Sequence, residues 1–492
     1  MTLVPITRLL DALAAADLLV EVRGAVPAAL TGFTDDSRAV VPGGCFAAVV
    51  GHAVDGHRFV AQAEAAGVGC VMVAHHEIAQ GPAIVVRDTR RAVAVAAAAW
   101  YGRPAAALRL VAVTGTNGKT TSVGMLRHLL DRPDARAASI GTLGVLVGSA
   151  GTPLEGGGGL TTPGPVELQR LLRALVDAGV GTVAMEASSH ALHQARLEGL
   201  TFDAALFTNF TRDHLDYHGT MEAYFAAKAS LLDLVRPDGV VVVNADDPAW
   251  THLRETRQRK VRFGVHGTVA DVYARRTTFT PQGSEFVLHA PATDAVRVTL
   301  PLLGDFQVEN ATGAAAVALA LGLSVADVAI GLASLPQVPG RLERLSTVPA
   351  VLRDYAHTPD ALDRALQAVR PFAPGRLIVV FGAGGDRDRG KRPEMGRVAA
   401  ARADWAIVTS DNPRTEDPER ILDDIVAGMT ATTHFERIED RRAAIAKAVA
   451  MAGPDDLVLL AGKGHETYQI RGTEKLPFDE AEIVAGLVGA PA

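Results

Sequence analysis

Short apolar runs that end abruptly in polar or glycine-rich loops recur along this chain. Val111–Thr114 leads into Gly115, after which Leu126, Leu129 and Leu130 carry apolar positions onward at helical spacing. Val183–Met185 stops at Glu186, Ala204–Thr208 at Asn209, and Val240–Val243 at Asn244. Further on, Leu377–Phe381 runs into Gly382–Gly385, Trp405–Thr409 into Ser410-Asp411, and Val458–Ala461 into Gly462-Lys463-Gly464. Strands alternating with helical patterns predict an α/β fold with largely parallel sheets, whose ligands bind at the carboxyl ends of the strands. The polar loops all fall at those ends. Two breaks, Gly102-Arg103-Pro104 and Pro336–Gly340, divide the chain into three expected domains, residues 1–105, 106–338 and 339–492.

One helix carries a misfit. Thr220–Val235 reads as helical, with Met221, Tyr224, Leu231 and Val235 on one apolar face. Lys228 lies on that same face, four residues after Tyr224, where burial of an unpaired ammonium is costly. Either its stem snorkels to solvent, or its chemistry is altered; carbamylation by CO₂ would turn the cation into a carboxylate.

Composition narrows the class. At 492 residues with 48% apolar and 21% charged positions, the chain is expected to form several ordinary globular domains. A net charge of −7 and the lack of a long basic run argue against a nucleic-acid surface. Cys45 and Cys70 show no metal-type spacing, which points to a reducing compartment. Asp11, Asp17 and Glu21 interrupt the N-terminal apolar residues, and the Ala92–Ala99 run is too short to span a bilayer. A cytoplasmic protein without membrane insertion, acting as a monomer, is expected.

The chemistry concentrates at Val111–Ser122. A β-branched strand, a turn with Gly115, Thr116, Asn117 and Gly118, and a helix opening at Lys119, Thr120 and Thr121 make a phosphate cradle. Backbone N–H groups and the helix dipole face the anion, Lys119 supplies a point charge, and the Thr120 hydroxyl can reach Mg²⁺. Val113 stands where the general phosphate-loop pattern starts with glycine. A nucleoside triphosphate is the expected ligand. Glu186 at a strand end is a candidate metal ligand. The dense polar loop Asn209–His218 adds Asp213, His214, Asp216 and His218. Gly382–Arg387 hints at a dinucleotide fingerprint, but Arg387 occupies its last glycine position.

Taken in order, these motifs resemble the Mur ligases, the ATP-dependent amide-forming ligases of peptidoglycan synthesis. Thr114–Thr121, Glu186–His190, Asn209–Gly219 and Tyr224–Ala229 are similar to the central ATPase domain of that family. Pro339–Glu343, Asp354–Asp360, Gly384–Arg392, Asp411–Arg414 and Gly462–Glu466 resemble its C-terminal motifs. Asp36–Arg38 and Asp55–Phe59 resemble its N-terminal ones, so the likeness spans nearly the whole chain. Gln307 departs from the family's usual asparagine, an exchange of one amide for another.

The resemblance implies three α/β domains: an N-terminal UDP-sugar-binding domain, a central phosphate-loop ATPase with a mostly parallel sheet, and a Rossmann-like amino-acid-binding domain. It implies phosphorylation by ATP of the D-glutamate γ-carboxylate of UDP-N-acetylmuramoyl-L-alanyl-D-glutamate. The acyl phosphate is then attacked by an amino-acid amine. Lys119, Glu186, His214 and Lys228 would be catalytic, with Thr120, Glu186, His214 and a carbamylated Lys228 holding Mg²⁺. Asn310, Arg341, Asp354 and His357 match nucleotide contacts, beside Gly115–Thr121. Ser37, Thr161, Thr162, Ser188, Gln194 and Arg196 match contacts to the UDP-linked muramoyl dipeptide. Arg387, Asp411, Asn412, Pro413, Arg414, Gly462 and Glu466 match contacts to the incoming amino acid. Family members that add lysine lack an arginine matching Arg414, so meso-2,6-diaminopimelate, with its second carboxylate, is the implied acceptor. By itself, Asp411–Arg414 would also suit a capped turn entering a helix at Pro418. The alternatives are a lysine-adding ligase and a folylpolyglutamate synthase-like ligase, which shares the phosphate loop.

Overall fold

The computed structural model describes residues 3–51, 54–157, 159–267, 269–280, 282–429 and 434–489. Three separate sheets organise it. The first has five strands. Leu19–Arg23 pairs antiparallel with Ala83–Val86, and parallel pairings continue through Cys70–Val73 and Cys45–Ala47 to Phe33–Thr34. Cys45 and Cys70 are register partners there, both buried and both free thiols.

The second sheet has eleven strands, and seven neighbours at its centre run parallel. Among them Arg109–Thr114 is flanked by Val180–Glu186 and Phe202–Phe207. Its side chains alternate between two apolar cores. Val111 and Val113 pack on one face with the helices Lys119–Leu130 and Asp305–Ala320, and Leu110 and Ala112 pack on the other. A strand buried on both faces needs a continuous apolar run. The Asp305–Ala320 helix is alanine-rich because small side chains let it seat nearly all round in that core.

The third sheet has six strands, five of them parallel, with Glu343–Thr347 as an antiparallel edge. Leu377–Phe381 again divides its side chains between two cores. The predicted strand starts and ends hold within a few residues, and the α/β expectation holds in all three sheets. The Pro418–Val426 helix is capped by Asp417, which accepts from Glu419 N–H, as the turn chemistry predicts.

One predicted element is shorter than expected. The helix capped by Thr220 runs only from Met221 to Ala229, a 3₁₀ turn covers Ser230–Leu234, and Val235 opens a strand. Pro237 favours the strand after that turn: it biases Arg236 toward extended backbone and has no N–H for a helix. Val235 therefore belongs to the sheet. The Ala92–Ala99 run lies in the helix Thr89–Trp100, and no helix among the described residues is long and apolar enough to cross a membrane.

Candidate active site

The polar loops at the strand ends of the second and third sheets meet across a cleft of about 560 Å³. The phosphate loop forms its floor. Gly115 and Gly118 have φ of +148° and +84°, and a Cβ on either would lie 1.9 Å from Thr208 Oγ1 or 2.2 Å from Asn310 Oδ1. Glycine is needed at both positions for conformation and for space. Asn209 accepts from Asn117 N–H at 2.8 Å, and Thr208 Oγ1 donates to the Asn117 carbonyl at 2.7 Å, pinning the loop to the neighbouring strand. Lys119 Nζ donates to the Gly115 and Thr116 carbonyls at 2.9 and 2.7 Å. Burial lowers its pKa, with Glu186 and Asp213 opposing. Thr120 and Thr121 line the cleft, and the Thr120 hydroxyl accepts from Arg341 at 3.1 Å.

Lys228 does not snorkel. It is 1% exposed, donates to the Gly115 carbonyl at 2.7 Å, and sits 4.5 Å from the centre of the Tyr224 ring. Burial drives its pKa well below the usual lysine value and Lys119 adds to this, against the pull of Asp213. Glu186, also buried, accepts from Thr142 N–H at 2.8 Å and from its hydroxyl at 3.2 Å. His214, with φ of +53°, precedes the short helix Leu215–His218 and packs edge-on against His190. Burial pushes the His214 pKa down to about 3 and that of His190 to about 4, so both rings stay neutral.

One wall gathers hydroxyls and a guanidinium. Thr162 Oγ1 donates to the Glu186 carbonyl at 2.7 Å and accepts from Ser188 N–H at 3.1 Å, while Thr161 lies within reach of Thr142. Arg196 donates to the Thr162 carbonyl at 2.9 Å and to Gln194 Oε1 at 2.6 Å. Gln194 itself does not line the cleft but orients Arg196, held in turn by a 3.0 Å bond to Tyr217. Ser37 lies outside the cleft, in the first sheet's loop after Phe33–Thr34.

The opposite wall comes from the third sheet. Arg341 lies over the Tyr355 ring at 4.7 Å, and Asp354 accepts from Leu342 and Ala356 N–H at 2.8 Å each. Burial raises Asp354 to about 6. His357 bonds the Tyr355 carbonyl through Nδ1 at 2.8 Å. Asn310 reaches in from the Asp305–Ala320 helix. Arg387, Asp411, Asn412, Arg414, Gly462 and Glu466 also line the cleft, while Pro413 and Gly115 do not. Asn412 Nδ2 donates to Glu466 Oε2 at 2.8 Å, and the fully buried Lys463 donates to both residues at 3.2 and 3.0 Å. Arg414, with φ of +52°, donates to the Gly385 carbonyl at 2.8 Å. A non-glycine residue held at positive φ beside a cleft is a common sign of a functional constraint.

Sequence reasoning missed several lining groups. Thr142 sits in a loop without a motif, and Asn209 and Asp213 were part of a polar loop without individual roles. Lys391 opens the helix Lys391–Arg402 within Gly384–Arg392, where a lysine after glycine at a helix start was the available signal. Burial lowers its pKa, while Asp213, Asp411 and Asp388 pull it back.

Among the described residues, no three His, Cys, Asp or Glu side chains assemble into a metal cluster. A divalent ion here would take one or two protein oxygens and rely on phosphates and water, which is the habit of Mg²⁺. The Thr120 hydroxyl and the Glu186 carboxylate fit such a donor set.

Comparison with known proteins bears on the same residues. The Mur ligase middle domain matches residues 113–318, the Mur ligase glutamate ligase domain 340–464, and the Mur ligase family catalytic domain 30–107. The UDP-N-acetylmuramoyl-L-alanyl-D-glutamate–2,6-diaminopimelate ligase of Synechococcus elongatus is 45% identical over 471 residues, covering 93% of this chain and 94% of the relative. The ligase of the same name from Geobacillus thermodenitrificans is 43% identical over 464 residues, 92% and 94% of the two chains. A solved structure of a ligase with that name has 33% identity and a TM-score of 0.67, covering 95% and 97%. Mycobacterium tuberculosis folylpolyglutamate synthase shares the fold, with 21% identity, a TM-score of 0.65 and coverage of 82% and 95%. The chain belongs to the Mur ligase family.

Proposed function

We propose that this chain joins meso-2,6-diaminopimelate to the D-glutamate γ-carboxylate of UDP-N-acetylmuramoyl-L-alanyl-D-glutamate, at the expense of ATP. The observation that carries this reading is that Arg387, Arg414 and Glu466 line the same cleft as the phosphate loop, with Arg387 and Glu466 both close enough to act on the Arg414 charge. An acceptor with a carboxylate beside its distal amine meets two guanidiniums and one carboxylate there, and Arg414 can clasp that carboxylate with parallel hydrogen bonds. Lysine would offer the guanidiniums no second carboxylate.

In this reading, residues 1–105 hold the UDP-sugar with Ser37, 106–338 bind ATP and the dipeptide, and 339–492 bind the acceptor. Lys119 leaves its two backbone carbonyls to meet phosphate oxygens, while Arg341 donates from the other side of the cleft. Asn310, Asp354 and His357 hold the nucleoside, and Thr161, Thr162, Ser188 and Arg196 hold the dipeptide, with Gln194 steering Arg196. Transfer of the γ-phosphoryl group to the γ-carboxylate gives an acyl phosphate. The acceptor amine attacks its carbonyl carbon, and the tetrahedral intermediate expels phosphate. The residues here align two anions and neutralise them, which is the main task in such chemistry. Thr120, Glu186 and His214 would hold Mg²⁺, which supplies Lewis-acid neutralisation of the phosphates when bound.

Lys228 suits carbamylation. A lowered pKa increases the share of deprotonated amine, which can attack CO₂ and release a proton, leaving an N–H to bond Gly115 and a carboxylate to support the metal. This would place an anion beside Lys119, where the free ammonium is repelled.

Arg414→Ala tests the acceptor assignment. Loss of a bidentate charge-assisted pair, about 2–3 kcal/mol, should raise the diaminopimelate KM roughly 30- to 150-fold and leave the ATP KM within about twofold. Equal rises in both would overturn it. The folylpolyglutamate-type reading is disfavoured by the first sheet and by this acceptor end.

A further inference from the structure

Arg387 and Arg414 sit on different loops, which follow the neighbouring parallel strands Leu377–Phe381 and Trp405–Val408. They are like charges: burial lowers the Arg414 pKa, and Arg387 lowers it further. Two converging guanidiniums on separate loops need something to fix their separation. That something is Glu416, which does not line the cleft.

Glu416 accepts from both terminal nitrogens of Arg392, at 2.8 and 3.1 Å, and forms an ion pair with Arg389 at 3.0 Å. It also accepts from the backbone N–H of Asp386, the residue before Arg387. The Arg392 guanidinium holds the carboxylate far down, at about 2. Arg392 is wholly buried, and it ties the Gly384 carbonyl at 3.3 Å and Asp424 at 2.8 Å into the same knot. The lacing runs back as well. The Asp386 carboxylate accepts from Thr415 N–H at 3.1 Å and from its hydroxyl at 2.9 Å. The loops also touch closely, since a Cβ on Gly385 would fall 1.9 Å from the Pro413 carbonyl oxygen.

We propose that Glu416, clamped by Arg392, is a positioning residue that sets the spacing of Arg387 and Arg414 and so determines selectivity for an acceptor with a second carboxylate. This rests on the diaminopimelate reading above. Glu416 reaches the 384–387 loop through Asp386 N–H and through Arg392, and it belongs to the 411–416 loop itself. Its removal leaves the loops joined by the Arg414–Gly385, Gly385–Asn412 and Thr415–Asp386 bonds but loses the tie at Asp386 N–H and Arg392, so the spacing of the two guanidiniums loosens against their own repulsion. The same carboxylate offsets Arg389 and Arg392, so it holds the loops together without adding an anion to the acceptor pocket.

The test uses the full-length enzyme with Glu416→Gln, and Thr415→Val as a milder variant at an exposed position. KM and kcat are measured for diaminopimelate, lysine, ATP and the UDP-linked dipeptide, with thermal midpoints alongside. Expected for Glu416→Gln is a tenfold or greater rise in the diaminopimelate KM, an ATP KM within twofold, and a tenfold fall in the diaminopimelate-to-lysine ratio of kcat/KM. Thr415→Val should shift the same quantities two- to threefold; if Glu416→Gln does not fold, this variant decides alone. Unchanged diaminopimelate KM and selectivity in a folded variant would overturn the proposal while leaving the reaction intact. Equal rises in all KM values with a lowered midpoint would reduce Glu416 to a structural residue and overturn it too. Wild-type enzyme that turns over lysine in preference to diaminopimelate would overturn both readings.

Discussion

Lys228→Met separates stability from turnover. The wild-type side chain is 1% exposed, with one carbonyl acceptor at 2.7 Å and one aromatic ring at 4.5 Å. Burying a polar group without full compensation costs about 2–7 kcal/mol. In its uncharged form the amine's hydrogen bond returns about 0.5–1.5 kcal/mol. At the low end of that cost these terms leave Lys228 mildly destabilising, so a similar-sized thioether should hold or raise stability by up to about 2 kcal/mol. Ordinary large-to-small truncations in a core lose about 2–5 kcal/mol instead. The pH dependence has a definite sign. The folded pKa is depressed, so between that value and the ordinary one near 10.5 the unfolded chain binds more protons. Wild-type stability therefore rises with pH across that window relative to Lys228→Met. Turnover should nonetheless fall at least about 100-fold, equivalent to roughly 2.7 kcal/mol of lost transition-state stabilisation. Urea unfolding at several pH values and phosphate release on the same preparations supply the numbers. A variant destabilised by more than about 2 kcal/mol that keeps its turnover would refute this reasoning and make Lys228 a structural ammonium.

Three further outcomes are expected. Gly118→Ala should lose about 1–2 kcal/mol through its left-handed backbone and weaken ATP binding more than tenfold by displacing Asn310, measured by calorimetric titration. Asp354 is raised to about 6 by burial, so its anion is lost as pH falls through that value, and kcat/KM for ATP should drop below about pH 6. A profile flat down to pH 5 would remove Asp354 from the nucleotide site. Depleting dissolved CO₂ should lower turnover, with bicarbonate restoring it and a ¹³C-labelled carbamate resonance absent from Lys228→Met.

The parts of this site legible in the sequence are those whose chemistry is local. Gly115 and Gly118 are demanded by a turn whose φ values glycine alone takes readily, and Lys119 follows them at a helix start, so the phosphate loop could be read directly. Lys228 stood out because one charged residue broke an apolar stripe, although the stripe ended earlier than expected where Pro237 turns the chain into a strand. Contacts between distant segments were not legible. Asn117 donates to Asp360 at 3.2 Å, Arg341 to Thr120 at 3.1 Å, and Arg364 pairs with Glu309 at 3.7 Å. Such pairings depend on how two sheets face each other, and neither partner's neighbours announce them. Glu416 is similar: in sequence it is one more acidic residue near a helix start, and its bonds to Asp386 N–H and Arg392 and its ion pair with Arg389 emerge only in the folded chain. The assignments of Thr161, Thr162 and Gln194 came from resemblance, because hydroxyls before a proline read locally as a turn.

Phosphate release with ATP and the UDP-linked muramoyl dipeptide, with meso-diaminopimelate or L-lysine supplied in parallel, tests the central assignment most directly. Release with diaminopimelate, and little with lysine, is expected if Arg387 and Arg414 receive a second carboxylate. Turnover with lysine instead, or with neither acceptor despite ATP binding, would contradict the function proposed for this chain.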